Sequence, residues 1–459
     1  TAVGSGACQT VTGADCTAFG YNALQLSTGL SNSAFGTQAL DANTTGSSNT
    51  GMGNNVLGAN TSGSENTAFG YRALFSNTTA DLNTASGANA LYSNTTGASN
   101  TASGHSALYS NTTGAGSVGI GYQALYTATT EGSLTAIGYQ AAKANTTGTG
   151  TVALGYQALT ANTTGDYNTA VGYEALKSNT TGPNNSAFGY EALESNTTGR
   201  SNTAIGYMSL KANTTGQDNT ALGYQSLWQN TTGSYNTTTG LHSLYSNTTG
   251  DHNTALGYQS LFNNTTGDYN IGIGFEALLI NTTGGKNTAL GYEACEENTT
   301  GSSNVCIGYE AGKTMGTGNS NQLYISNSSS QDLIPGDFST GFVTIGRAGL
   351  ANGGLGVHGD LGVRFYDDDA STYIALVSPS TVSSSVIFTL PGADGSNGQV
   401  LTTNGSGALS WADDAGGSSG ATDIDGLSDA KLGGTNFTNS MLLGHQTTGT
   451  LDDAQGNLG

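Results

Sequence analysis

Side chains capable of chemistry are few in this chain and stand far apart. The five histidines are His105, His242, His252, His358 and His445. A zinc site asks for His, Cys or carboxylate ligands gathered at close spacing, and the sequence holds neither such a cluster nor an H-x-H pair. Asp367, Asp368 and Asp369 offer calcium-type oxygens without the EF-hand pattern, so the run reads as a solvated turn. Glycine-rich stretches make no phosphate cradle without a strand, a helix and a following acid. No G-x-S-x-G elbow sits in an α/β context. The expectation is a non-enzyme with no catalytic residue, cofactor or metal.

The four cysteines form two local pairs. Cys8 and Cys295 stand where neighbouring phrases carry Leu, Cys306 where they carry Ala, and Cys16 where they carry the Asn before T-A. Each pair spans adjacent phrases. That suits disulfide clamps, Cys8 with Cys16 and Cys295 with Cys306, or free cysteines acting as small apolar side chains. Repetition supplies two more candidates. The N-T-T tripeptides are formal N-glycosylation acceptors, although turn chemistry explains their regularity. Tyrosines recurring from Tyr122 through Tyr309 make a ladder, a carbohydrate-stacking stripe if exposed and packing if covered. Packing is the expected use.

The elements behind these residues follow from composition and period. Charged residues make up 9% of the 459 positions, against roughly 25% in ordinary soluble domains. Glycine is abundant at 71 residues, proline scarce at 4, and no G-X-Y period points to collagen. A net charge of -21, with 31 acidic against 10 basic residues, disfavours a nucleic-acid partner, whose phosphates it repels. No run nears the roughly 18 apolar residues of a membrane span, so no membrane insertion is expected. Thr1 opens inside a phrase, "TAVG", with no initiator Met or signal peptide before it. The chain is therefore expected to be a processed or partial piece of something longer.

The phrase itself is N-T-T-G-x-x-N-T-A-φ-G-Y-x-A-L-x-S, where φ is a variable apolar residue. Its T-A-φ-G glycine recurs every 17 residues from Gly36 to Gly308, after Gly4 and Gly20 at spacings of 16. Strict length means that each unit stacks on the next. Seventeen residues are too few for a helix pair and suit one coil of a parallel β-solenoid. A strand is predicted at T-A-φ-G-Y and a turn at N-T-T-G, with its Gly at positive φ and its Asn bonding locally. The segment Y-x-A-L-x-S-N is left open between a second strand and a helical turn. Stacking aligns Asn and Thr into ladders. Leu176, Leu193 and Leu210, with Leu159, are predicted as one buried row on the φ face. Ala and Gly on the other face, including Gly172, Gly189 and Gly206, would let a second backbone approach. Hence the fold class is all-β, a parallel β-solenoid or β-roll of about 19 coils at roughly 4.8 Å each. A homotrimer with small faces inward is expected, over a lone solenoid or another assembly.

N-T-A-φ-G resembles the N-S-V-A-I-G repeats of trimeric autotransporter adhesin heads, which are left-handed parallel β-rolls. The full 17-residue unit is similar to repeats of bacterial and bacteriophage tail fibre domain proteins, over residues 1–316. "SNQLYISNSSSQDLIPGDFSTGFVTIG", within 317–350, reads as transition strands and resembles the segment common after such repeats in fibre proteins. Within 351–412, Val386, Phe388 and Leu390 share one parity of a compact β module. Its "FTLPGADGSNGQVLTTNGSGALSW" resembles a module of marine phage virion fibres. Residues 413–459 read as a Gly/Ser/Asp linker and the start of a further shaft segment. The resemblance implies a virion fibre shaft, a phage tail fibre in host attachment. Its partners would be further copies of itself, other fibre or baseplate proteins, and a host surface glycan or receptor. The alternative is a bacterial cell-surface adhesin or extracellular matrix filament built from the same repeats. A polysaccharide lyase or hydrolase would need a charged cluster on one face.

Overall fold

A computed structural model of the chain describes residues 1–328, 332–340 and 342–343. Beyond these it describes the segments 363–366, 373–376, 399–403 and 409–413 and residues 391, 393 and 396. Two compact units divide the chain, Thr1–Leu355 and Gly356–Gly459.

The first unit is a parallel β-solenoid of 19 coils, and each coil contributes one short strand to a single sheet running the length of the stack. Thr169–Val171 is typical: it pairs in parallel with Ser186–Phe188, Thr169 beside Ser186, Ala170 beside Ala187 and Val171 beside Phe188. The rest of the coil, including Y-x-A-L-x-S-N, is neither strand nor helix but a series of turns. Left-handed residues build those turns. In one coil Glu174, Leu176 and Asn184 have φ of 53°, 52° and 60°. Such a backbone costs a non-glycine residue about 1–2 kcal/mol. Its return is direction, since each of these N–H groups points along the stack. Glu174 and Asn184 donate back to the carbonyls of Tyr156 and Asp166, and Leu176 donates forward to that of Ala192.

The interior corrects the expected faces of the strand. Leu159, Leu176, Leu193 and Leu210 do form one fully buried row, but they come from the A-L turn. The strand sends its Ala inward: Ala170 and Ala204 are 0% exposed within the single chain. The φ residues point outward, with Ile205 43% exposed. The reason is size. A methyl carbon placed on Gly51, at the strand's Ala position, would lie 3.0 Å from Val56 and 3.4 Å from Leu40 of the preceding coil. With Leu filling the coil, the space opposite suits a small side chain, Ala in most coils and Thr238 or Cys306 in two of them. Ala170 and Ala204 are therefore spent on the chain's own interior, a correction to the small face, with Gly172 and Gly206, expected at a three-fold interface.

Both glycine positions answer to the neighbouring coil as well. Gly172 has φ 140°, and a Cβ there would run into the carbonyl of Gly189; Gly189 and Gly206 are placed alike. The N-T-T-G glycine does not adopt the positive φ expected of it. At Gly182 a Cβ would collide with the carbonyl of Gly199 and stand 2.7 Å from Asn179 Oδ1. Close axial stacking, not turn handedness, selects glycine here.

Two asparagine ladders hold the coils in register. Asn179 Nδ2 donates to Asn162 Oδ1 (2.9 Å) and to the carbonyl of Gly182 (2.9 Å). In the second ladder Asn202 Nδ2 donates to Asn185 Oδ1 (3.1 Å) and to the carbonyl of Gly216 (2.9 Å). Its backbone N–H reaches the same Asn185 oxygen at 3.0 Å. All four asparagines are 0% exposed, and burial is tolerable because donors and acceptors are matched. Beside them Thr180 Oγ1 donates to the carbonyl of Thr197.

At its far end the sheet changes sense. Val305–Ile307 pairs in parallel with Gln322–Ser326, which pairs antiparallel with Asp332–Asp337, and that strand with Phe342–Val343. Among its described residues the second unit has two antiparallel strand pairs, Val363–Tyr366 with Tyr373–Leu376 and Gln399–Thr403 with Leu409–Asp413. Val386, Phe388 and Leu390, the acidic run Asp367 to Asp369, His358, His445 and the segment after Asp413 lie outside the described residues.

Candidate functional site

Because Ala takes the interior, T-A-φ-G-Y presents two rows to the outside, φ and Tyr, two residues apart in every coil. Over the twelve strands from Val118–Ile120 to Val305–Ile307, the Tyr row runs from Tyr122 to Tyr309 with Leu241 and Phe275 substituted in it. These residues are 39–50% exposed. In the φ row Ile120, Ile137, Leu154, Phe188, Ile205, Leu256, Leu290 and Ile307 are 36–45% exposed. Neither row carries a charge in this stretch.

The tyrosines are stacked as well as exposed. From Tyr122 to Tyr224 successive ring centroids lie 5.0–5.3 Å apart and nearly parallel. A second run, Tyr258, Phe275, Tyr292 and Tyr309, is spaced at 5.0–5.1 Å. Both readings of the ladder are thus half right. Ring faces are covered by the rings above and below, and only edges and phenol groups meet solvent. A sugar ring has no free aromatic face to lie on within the run.

Acidic residues next to the Tyr row tune it. A hydrogen bond to Glu191 pushes the Tyr190 phenol up to about 12, and Glu293 does the same for Tyr292. Burial works to raise Glu191, but hydrogen bonds from Lys211 and Tyr190 outweigh it and hold the carboxyl low. Lys211 bridges Glu191 at 2.6 Å and Glu194 at 3.4 Å. Lys313 bridges Glu293 and Glu296 in the same way, and both partners raise it. Glu276 is raised by burial and then by the charges of Glu293 and Glu296.

The cysteine pairs part company. Cys295 and Cys306 are joined by a disulfide, with Cα atoms 5.8 Å apart. They occupy the buried Leu position and the inward strand position of the following coil, which face each other across the core. Cys8 and Cys16 are unbonded, a correction to the clamp considered for them. Cys16 takes a ladder-asparagine position, and its Sγ points at the carbonyls of Gly29 (3.5 Å) and Ala14 (3.6 Å).

The remaining candidates are dispersed. His105 stacks on Tyr122 at 5.6 Å, and His252 sits between Tyr235 and Tyr269 at 4.7 Å from each. His242 Nε2 meets Gln225 Oε1 at 3.0 Å, and burial lowers its pKa. Among the described residues no three His, Cys, Asp or Glu could hold a metal ion, and no helix is long and apolar enough to cross a membrane. The N-T-T asparagines are the buried ladder residues, out of reach of any modifying enzyme while the coil is folded. Sequence reasoning missed the outward φ row. Its signal was variability: Phe, Ile, Leu, Val, Met, Ser and Thr all occur at φ, a range no tightly packed interior tolerates. No family model, curated protein or solved structure matches this chain.

Proposed function

We propose that the chain is the structural shaft of a virion fibre, of the bacteriophage tail-fibre kind, acting in host attachment. One observation carries the reading: 19 coils stack with their strands in register, most of them tied to the next by buried asparagines. Such a stack is a rod whose work is to span distance. Resemblance of the 17-residue unit to tail fibre repeats supplies the virion context, with fibre or baseplate proteins at its ends and a host glycan or receptor as the target. No side chain is assigned a catalytic role.

Electron microscopy of purified particles labelled with antibody to this chain tests the proposal. Label along fibres is the expected result. Label on the envelope of uninfected cells would replace it with the second reading, a cell-surface adhesin or matrix filament. That reading is favoured by the exposed apolar rows, which run along the shaft itself.

A further inference from the structure

We infer that the exposed φ and Tyr rows between residues 118 and 309 are the face through which copies of this chain pack side by side. The inference extends the fibre reading by naming the shaft's own lateral partner. Area comes first. At 39–50% exposure, twelve side chains of the Tyr row, at roughly 150–250 Å² for a whole aromatic residue, leave on the order of 1,000 Å² per chain. A stable interface needs about 800 Å² per partner, and isolated soluble proteins rarely leave patches beyond a few hundred Å². The φ row adds to this surface.

Period then selects the occupant. The rows repeat once per coil, and any partner that fits all twelve coils must present apolar groups at the same axial spacing. A second copy of this chain does so with no further requirement. Glycans are poorly served, because stacking hides the ring faces. Charge does not oppose the contact despite the net -21. The rows themselves are uncharged, and beside them Lys211 offsets part of the charge of Glu191 and Glu194, as Lys313 does for Glu293 and Glu296. Upstream the rows are interrupted by small or polar residues at Ser86, Ala88, Ser103 and His105, beyond which the large residues return only in part, at Phe19, Tyr21, Met52, Phe69 and Tyr71, so the longest unbroken contact lies in the later coils.

The test is the mass in solution of the whole chain at tens of micromolar, by sedimentation equilibrium. An integral multiple of 46.0 kDa is expected. The triple change Ile137→Lys, Tyr173→Lys and Ile205→Lys should reduce it to 46.0 kDa with the β-sheet circular dichroism retained. If that variant fails to fold, the milder pair Tyr139→Ser and Tyr173→Ser should still weaken association at least tenfold. Ser86→Lys with Asn54→Lys, on the same rows where they are already polar, should leave the multimer intact. A folded single-chain mass for the unchanged protein, or association unaffected by changes in the later coils, overturns the inference. Antibody label on virion fibres would survive that outcome, so the two proposals fail separately.

Discussion

Asn111 shows how closely the ladder is specified at the scale of one residue. Its Oδ1 is buried with no hydrogen-bond partner, because the next coil carries Ala128 where an asparagine would donate. Ala128→Asn should give that oxygen its donor and give Asn145 Nδ2 a second acceptor. The expected gain is about 1–3 kcal/mol, the cost of leaving a buried group unsatisfied, read as a higher denaturation midpoint. Glu131 in the glycine place of this turn is no obstacle in principle, since Ala80 sits there beside Asn77 and still accepts its bond at 3.0 Å. A second residue-scale prediction concerns the tyrosines. Tyr190 is raised from 10.0 to about 12 by Glu191, so its phenol stays protonated longer in the folded chain than in the unfolded one. Its contribution to stability is complete below pH 10 and is lost as pH rises through about 12. Glu191→Gln should move that phenol's ultraviolet titration back toward 10.

At the scale of the coil, the glycine of T-A-φ-G is the test of what stacking demands. Gly172→Val places a branched side chain against the carbonyl of Gly189 at φ 140°. It should therefore unstack one junction within the single chain, and not merely block assembly. The expected loss is several kcal/mol, on the order of 3 or more, with new protease cleavage between residues 172 and 189. Leu193→Asp should cost a similar amount by burying an unpaired charge. Much of the coil was legible in the sequence: its length, a strand beginning at T-A-φ, the Asn and Thr ladders and the Leu176, Leu193 and Leu210 row; that the strand stops before G-Y, with only turns after it, was not. Which face of the strand turned inward was not. Alternation fixes only that φ and Ala point opposite ways; the Leu of the preceding coil decides that a small side chain, and not the large φ residue, fits inside. Left-handed Glu174 and Leu176 were illegible too, since their reward is a bond to a neighbouring coil, not a local propensity. The disulfide followed from the same cross-core geometry, which Cys295 and Cys306 share and Cys8 and Cys16 do not.

For the molecule as a whole, the fibre reading predicts chemical inertness. Purified chain incubated with candidate host polysaccharides should release no reducing ends, and turnover abolished by changing a single carboxylate would refute a purely mechanical role. Folding should also be local, because ladder partners lie 17 residues apart throughout the regular stack. Coils can form wherever a few neighbours meet and then grow in both directions. The uniform junction has a genetic consequence. Among the regular coils one upper edge fits another's lower edge, so recombination between such repeats that removes or duplicates one 17-residue unit leaves the remaining contacts of the same kind. Within the regular stack, deleting a number of codons that is not a whole multiple of 17 would interrupt the 17-residue spacing of the asparagine rows. A gene of this design can evolve a longer or shorter shaft in steps of one coil, about 4.8 Å, with its length tallied in whole repeats.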